Sequence, residues 1–449
     1  MKKLWTDTGT KLNKLIENYC FAEGVELDNY LTKYDVYASI AHASMLCKIG
    51  IIDKNEFDQL KKLLLGILKL GNKDQFIIKI EDEDVHTKIE SYLSDKLGDL
   101  GKKIHTGRSR NDQVLVDLRL YTKEQLFSIA DLLIETAGQF LLYAKKYEFI
   151  PMPGYTHMQK AMPSSVGMWL GSFAEQIIDI LDLLKASFEL NDQSPLGSGA
   201  AYGVSLPIDR EMTAKLLGFK KVQSNSLYSQ ISRPTFHLAL MHNLGQIMLA
   251  MSRFANDLLL FTTSEFDFFD VDENICTGSS IMPQKKNLDL LEYVRAKSNK
   301  VLSASMTVGV MTAALPSGYN GDFGETKGPF IESINTVKDT LKMLPVILSS
   351  IKPKTEILEK ACSKEIYATH FAYEKVKKGT PFRSAYLETK KQLDQIPLPD
   401  IKKFLTISNH TGGTGNLLLK ESKKYLYSKQ NFWNNAKKQY REVINSLLS

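Results

Sequence analysis

Five stretches of this chain, at residues 110–147, 163–191, 234–263, 287–315 and 329–351, carry apolar residues at three- and four-residue spacing with almost no internal proline. Runs of that length without caps read as bundle helices that need one another. A helix of about thirty residues spans roughly 45 Å, so the chain is constrained to an elongated all-α core, and strand signals between the stretches are few. Some of these helices are apolar round much of their circumference, as at 238–251 and 308–315. Such helices need burial on more than one face. Association of subunits supplies it, and an obligate oligomer is expected.

The long stretches divide the chain into three. Residues 1–105 show shorter helical patterns, 34–49 and 55–70, closed near Gly50 and Gly71, and read as an N-terminal helical domain. Residues 106–351 form the central helix-bundle domain and contain a loop at 276–287. From 352 to 449 the pattern returns to shorter helices and polar turns, a small C-terminal helical domain. A hydrophobic share of 43% and a charged share of 24% suit a soluble globular protein. Cys20, Cys47, Cys276 and Cys362 make no C-x-x-C pair and no zinc spacing, so they read as reduced thiols and the expected location is the cytoplasm. Lys2 and Lys3 are not followed by an apolar signal core, and no window reads as long enough to span a bilayer. The net charge of +6 is spread along the chain instead of gathered with aromatics, which points to an anionic small molecule and away from nucleic acid or membrane.

Four polar stretches interrupt the bundle pattern. Cys276 to Asn287, ahead of an apolar-periodic helix, combines a glycine, two adjacent serines, a proline and two lysines. It reads either as a capped helix start with solvated lysines or as a mobile loop whose hydroxyls and amides hold an oxyanion. Lys103 to Gln113 sets Arg108 and Arg110 beside Gly107 at a helix start. That is a carboxylate clamp or a cap with surface ion pairs. Pro153 to Pro163 carries Thr156 and His157 among turn residues, where a histidine is structural or a proton carrier. Pro316 to Asn320 is a break between helices, with Tyr319 in it and Lys327 following. Two further stretches have plainer readings. Asp82 to His86 is an acidic cap containing a histidine, or something more. Gly197 to Gly203 lacks the preceding strand and the G-K-[ST] of a nucleotide loop.

GSSIMPQKKN resembles the signature loop of the fumarase, aspartase and argininosuccinate lyase superfamily. HTGRSRNDQV and GYTHMQKAMP are similar to motifs of the argininosuccinate lyases in particular, and PLGSGAAYG resembles a segment of the same family. The resemblance implies three helical domains whose five-helix bundles join as a 20-helix core in a homotetramer, with each site shared between subunits. It implies carbon–nitrogen cleavage of argininosuccinate to L-arginine and fumarate, in arginine biosynthesis, without cofactor or metal. Ser279 would be the base, with Lys285 lowering its pKa. Lys285 and Asn287 would hold the aci-carboxylate, and His157, oriented by Glu292, would protonate the leaving nitrogen. Arg110, Asn111, Thr156, Tyr319 and Lys327 would bind the substrate. Departures are Trp5-Thr6-Asp7-Thr8-Gly9 in place of a W-G-G-R-F string, Leu288 for a proline, Gly324 for a glutamine that contacts the arginine half, and Gly24 near an expected serine. They leave open a relative acting on another N-substituted aspartate, adenylosuccinate-like for instance, and a catalytically silent structural homologue.

Overall fold

The computed structural model describes residues 13–449, without the side chains of residues 17 and 21–23. Residues 1–12, with the Trp5 string, lie outside the described residues. Helices α1 (Lys14–Asp28), α2 (Thr32–Lys48), α3 (Lys54–Gly71), α4 (Val85–Leu97) and α5 (Asp99–Lys103) come first. The bundle follows, with α6 (Arg110–Lys146), α7 (Val166–Asn191), α10 (Arg233–Phe261), α11 (Asp289–Thr312) and α12 (Lys327–Ser349) as its rods, and α8 (Arg210–Leu216) and α9 (Ser226–Ile231) before α10. Then come α13 (Thr355–Ala361), α14 (Ala368–Lys377), α15 (Phe382–Lys391), α16 (Ile401–Leu405) and α17 (Leu419–Leu448). Strands are short and paired: β1 (Pro151–Thr156) with β2 (Gln159–Ser165), β3 (Gln193–Ser194) with β4 (Lys221–Val222), and β5 (Phe269–Val271) with β6 (Ile351–Pro353). The fold is all-α in substance.

Local chemistry explains where the rods start. Ser109 and Asp112 form a capping box on α6, Ser165 caps α7 through the Met168 amide, and Pro234 sits in the first turn of α10. The rods alternate in direction, and side chains near their ends show it. Arg119, early in α6, donates to the carbonyl of Asn191 at the end of α7 (3.4 Å) and to Ser232 just before α10 (3.4 Å). At the other end Trp169 of α7 donates to Asp257 of α10 (3.0 Å), and Arg295 of α11 to Asn256 (3.2 Å). The bundle therefore has an Arg110 end, where α6, α10 and α12 begin, and a hairpin end, where β1–β2 turns the chain and α7 and α11 begin.

One continuous apolar core unites the N-terminal helices with the bundle. Phe140, Phe173, Phe254 and Trp169 interlock in it, with ring centroids 5.1 Å apart for Phe140–Phe254 and 5.5 Å for Trp169–Phe254. The C-terminal region corrects the expectation of short helices only, since α17 runs for 30 residues. Its apolar stripe is Leu426, Trp433, Tyr440 and Leu447, at every seventh residue, joined by Ile444, and it lies against α6, α7 and α2. Cys362, Ile366, Tyr367, Ile396 and Phe404 form a separate small cluster. The expectation that no window is long enough to span a bilayer does not hold for α6. A window of α6 is long and apolar enough to cross a bilayer, and more than half of it is buried inside the protein, as for a core helix.

Candidate active site

At the Arg110 end the first motif folds onto itself. Asp112 accepts from the Ser109 amide (2.8 Å) with one oxygen and from the amides of Gly197 and Gly199 (2.9 and 3.0 Å) with the other. The glycine-rich segment thus spends its amides on an internal carboxylate. Gly197 has φ +82°, and a Cβ there would meet the Arg210 side chain at 2.8 Å, so glycine is required. Burial pushes Asp112 up to about 6, against the opposing pull of these amides and of Arg108.

Arg110, at the first position of α6, places Nη1 2.9 Å from Glu83 and 3.0 Å from Asp84. Asp84 in turn caps α4 through the Thr87 amide, 2.7 Å away. Glu83 itself has φ 72° and ψ −48°, a strained γ-turn geometry. Asn111 is half-buried in the same first turn. Lys327, buried at the start of α12, binds Asp28 and the carbonyl of Gly24, the latter at 3.1 Å. Tyr319, in the loop between α11 and α12, is 45% exposed.

Behind these residues lies a buried polar network that the motifs alone do not announce. His86 Nδ1 is 2.5 Å from Asp35 Oδ2, Ser39 donates to Asp35 (3.0 Å) and Arg108 donates to Ser39 (3.0 Å). Burial lowers His86, but the Asp35 hydrogen bond and charge prevail and raise it. Burial likewise works against Asp35, and the bond to His86 wins, holding it below its ordinary value. Asp117, 3.7 Å from His86, has no hydrogen-bond partner on either oxygen among the described residues, and burial pushes it well above its ordinary value, against the pull of Arg108 and Lys327. Asp35, His86 and Asp117 offer ligand atoms within 4.8 Å of one another, a spacing that could hold a metal ion. Here Nδ1 of His86 is already engaged by Asp35. Arg233, at the start of α10, leaves Nε and one Nη unpaired beside a void of about 10 Å³, and burial pushes it down to about 10. Its only sequence signal is a cation before a proline at the head of an apolar helix.

The hairpin end is built differently. The β1–β2 ladder joins Thr156 to Gln159, leaving His157 and Met158 as a two-residue tip with φ 52° and 61°. Two left-handed residues in succession make the type I′ pattern that Asn-Gly usually supplies. Each non-glycine residue there costs about 1–2 kcal/mol. Strain is concentrated on the candidate proton carrier, and Thr156 and His157 are both exposed. In the 276–287 loop, Thr277 and Asn287 exchange backbone hydrogen bonds (2.9 and 2.8 Å), pinching its neck. Within it Ser279 Oγ accepts from the amides of Ile281 (3.3 Å) and Met282 (3.1 Å). Donors aimed at an oxygen favour its charged form. Lys286 is tied to Glu273 (2.5 Å), whereas the exposed Lys285 has no ion pair among the described residues. Glu292 is exposed in the first turn of α11.

The ten expected site residues therefore fall into two groups. Arg110, Asn111, Tyr319 and Lys327 are at one end; Thr156, His157, Ser279, Lys285, Asn287 and Glu292 are at the other. Helix α10, with 29 residues and thus about 43 Å long, lies between the groups. No hydrogen bond or ion pair joins two side chains of the ten among the described residues, and Glu292 does not meet His157 within the chain.

A family model described as Lyase matches residues 13–303. The chain is 43% identical to the argininosuccinate lyase of Thermotoga neapolitana over 86% of its length and 96% of that protein's. It is 38% identical to that of Bacteroides thetaiotaomicron over 93% of both. The chain belongs to the argininosuccinate lyase family. Its fold agrees with an EDDS lyase in complex with formate, at TM-score 0.83 and 21% identity over 98% of this chain and 95% of that one. A class II fumarase from Schistosoma mansoni matches with TM-score 0.68 and 16% identity over 82% and 89% of the two chains. Membership of the argininosuccinate lyase family makes this chain a lyase, and the all-α expectation from the five long stretches holds.

Proposed function

We propose that the protein cleaves argininosuccinate reversibly into L-arginine and fumarate, within arginine biosynthesis and without a cofactor. The relatives named argininosuccinate lyase support the substrate, and the paired amides on Ser279 Oγ carry the mechanistic reading. Those amides favour an alkoxide, which takes the proton alpha to the succinyl carboxylate. The electron pair enters an aci-carboxylate held by Lys285 and Asn287, then returns to form the double bond of fumarate as the carbon–nitrogen bond breaks. His157, turned by Glu292, gives its proton to the departing guanidino nitrogen. Arg110, Asn111, Thr156, Tyr319 and Lys327 hold the remaining polar groups.

In this reading the two groups of residues meet across subunits. A homotetramer is supported by α11, which packs on α10 and α12 yet leaves Tyr293, Met306 and Val310 64–78% exposed in a single chain. We place the protein in the cytoplasm, in keeping with four free thiols. The test follows fumarate release from argininosuccinate, adenylosuccinate and aspartate in parallel. Release from argininosuccinate alone is expected. Preference for either of the others moves the substrate, and none from all three leaves a silent homologue.

A further inference from the structure

A two-stranded hairpin is marginal by itself, so something has to hold the strained His157 tip. At its base Met152 and Ser165 are buried in the bundle. On strand β1 the Tyr155 ring lies 5.9 Å from Phe266 and 6.3 Å from Phe261. On strand β2 one contact reaches 201 residues along the chain: Lys160 Nζ donates to the carbonyl of Ala361 at 2.7 Å. Ala361 is the last residue of α13, so its carbonyl, which also accepts from the Ser363 amide at 3.0 Å, has no partner within the helix and stands at the negative end of the helix dipole. Lys160 pairs with Tyr155 across the ladder, next to Thr156. It also lines a cleft of about 710 Å³ with Met158 of the tip, Lys360 in α13 and Glu365 beyond it.

We propose that Lys160 is a positioning residue for proton transfer, docking the hairpin on α13 so that the C-terminal region holds His157 in place. An exposed lysine on a neutral carbonyl adds little to global stability. Its effect falls on where the tip sits, and a misplacement near 1 Å is costly to catalysis. The inference rests on the lyase reading, and the experiment separates the two. Full-length Lys160→Met and Lys160→Arg are compared with the parent in steady-state fumarate release, thermal melting and hydrogen exchange of residues 154–162. Lys160→Met is expected to lower kcat about tenfold to a hundredfold with KM and melting unchanged, and to speed exchange at the tip. Lys160→Arg, which keeps a cationic donor, is expected to restore both. Parental kcat and exchange in Lys160→Met would overturn the assignment, as would a loss that arginine does not rescue. A parent inactive on argininosuccinate would instead overturn the lyase reading, while the exchange rates still decide whether Lys160 docks the hairpin.

Discussion

The two ends of the bundle use the same kinds of residue to opposite effect. At the Arg110 end most cations and carboxylates are already matched inside one chain, Arg110 with Glu83 and Asp84, Lys327 with Asp28, His86 with Asp35, while Arg233 and Asp117 keep buried atoms unpaired. At the hairpin end Thr156, His157, Lys285 and Glu292 are exposed, and the local geometry is strained at His157. A finished network contributes to stability and fixes where a ligand can sit. An open one is free to change partners. The difference teaches that the same rods carry, at one end, charges already settled inside the chain and, at the other, polar groups left open to solvent.

That contrast can be broken by mutation, and the largest effect is expected at the open end. Ser279→Ala removes the proposed base and should lower kcat by about 10²–10⁴-fold, while melting and oligomeric state stay as in the parent. A parallel loss of stability would show that the loop is part of the core after all. Retained turnover would move the base elsewhere, with Ser280 first to be tried.

The closed end should answer in stability. His86→Gln leaves Asp35 without its charged partner in a buried site, a change that costs on the order of 3–5 kcal/mol. The pH dependence follows from the shifts. Asp35 lies below its ordinary 3.8, so its share of stability is present above that value and is lost as pH falls through the lower folded one. His86 lies above its ordinary 6.5, so its share is complete below 6.5 and is lost as pH rises through the higher folded one. Melting of parent and variant from about pH 2 to about pH 9 should show the widest gap between about pH 4 and about pH 6.5, narrowing on either side. A gap that ignores pH would contradict the charged pair.

The smallest effect sharpens the account of strain. Met158→Gly replaces a side chain at φ 61° with the residue that tolerates it, and should raise stability by about 1 kcal/mol. Unchanged or lower melting would mean that the tip is not strained.

Much of the fold was legible because burial imposes a period. The five rods begin and end within three residues of the stretches at 110–147, 163–191, 234–263, 287–315 and 329–351. Helix α17 escaped although Leu426, Trp433, Tyr440, Ile444 and Leu447 mark one face, because lysines, asparagines and other polar residues crowd the positions between them. The 151–165 hairpin was legible only as turn residues, since its alternation is broken by a bulge after Gly154. At the site, the motifs named residues and could not say which are buried. Arg108 and Arg110 stand two apart in one string, yet one is sunk beneath Ser39 and the other is partly open, a difference set by packing against α2 and α4. Asp117 reads as one acid inside a helical stretch and Arg233 as one cation before a proline, and neither pattern says that polar atoms of the group are buried without a hydrogen-bond partner.

The central claim is that the two ends meet only between subunits, and mixing tests it most directly. Ser279→Ala and Arg110→Gln, each prepared separately and each expected to be nearly inactive, are dissociated together and allowed to reassemble. Chains that lend intact opposite ends to one another should recover a substantial part of the parental fumarate release, because some mixed sites contain neither substitution. Mixed assemblies no more active than the separate variants would contradict the shared site.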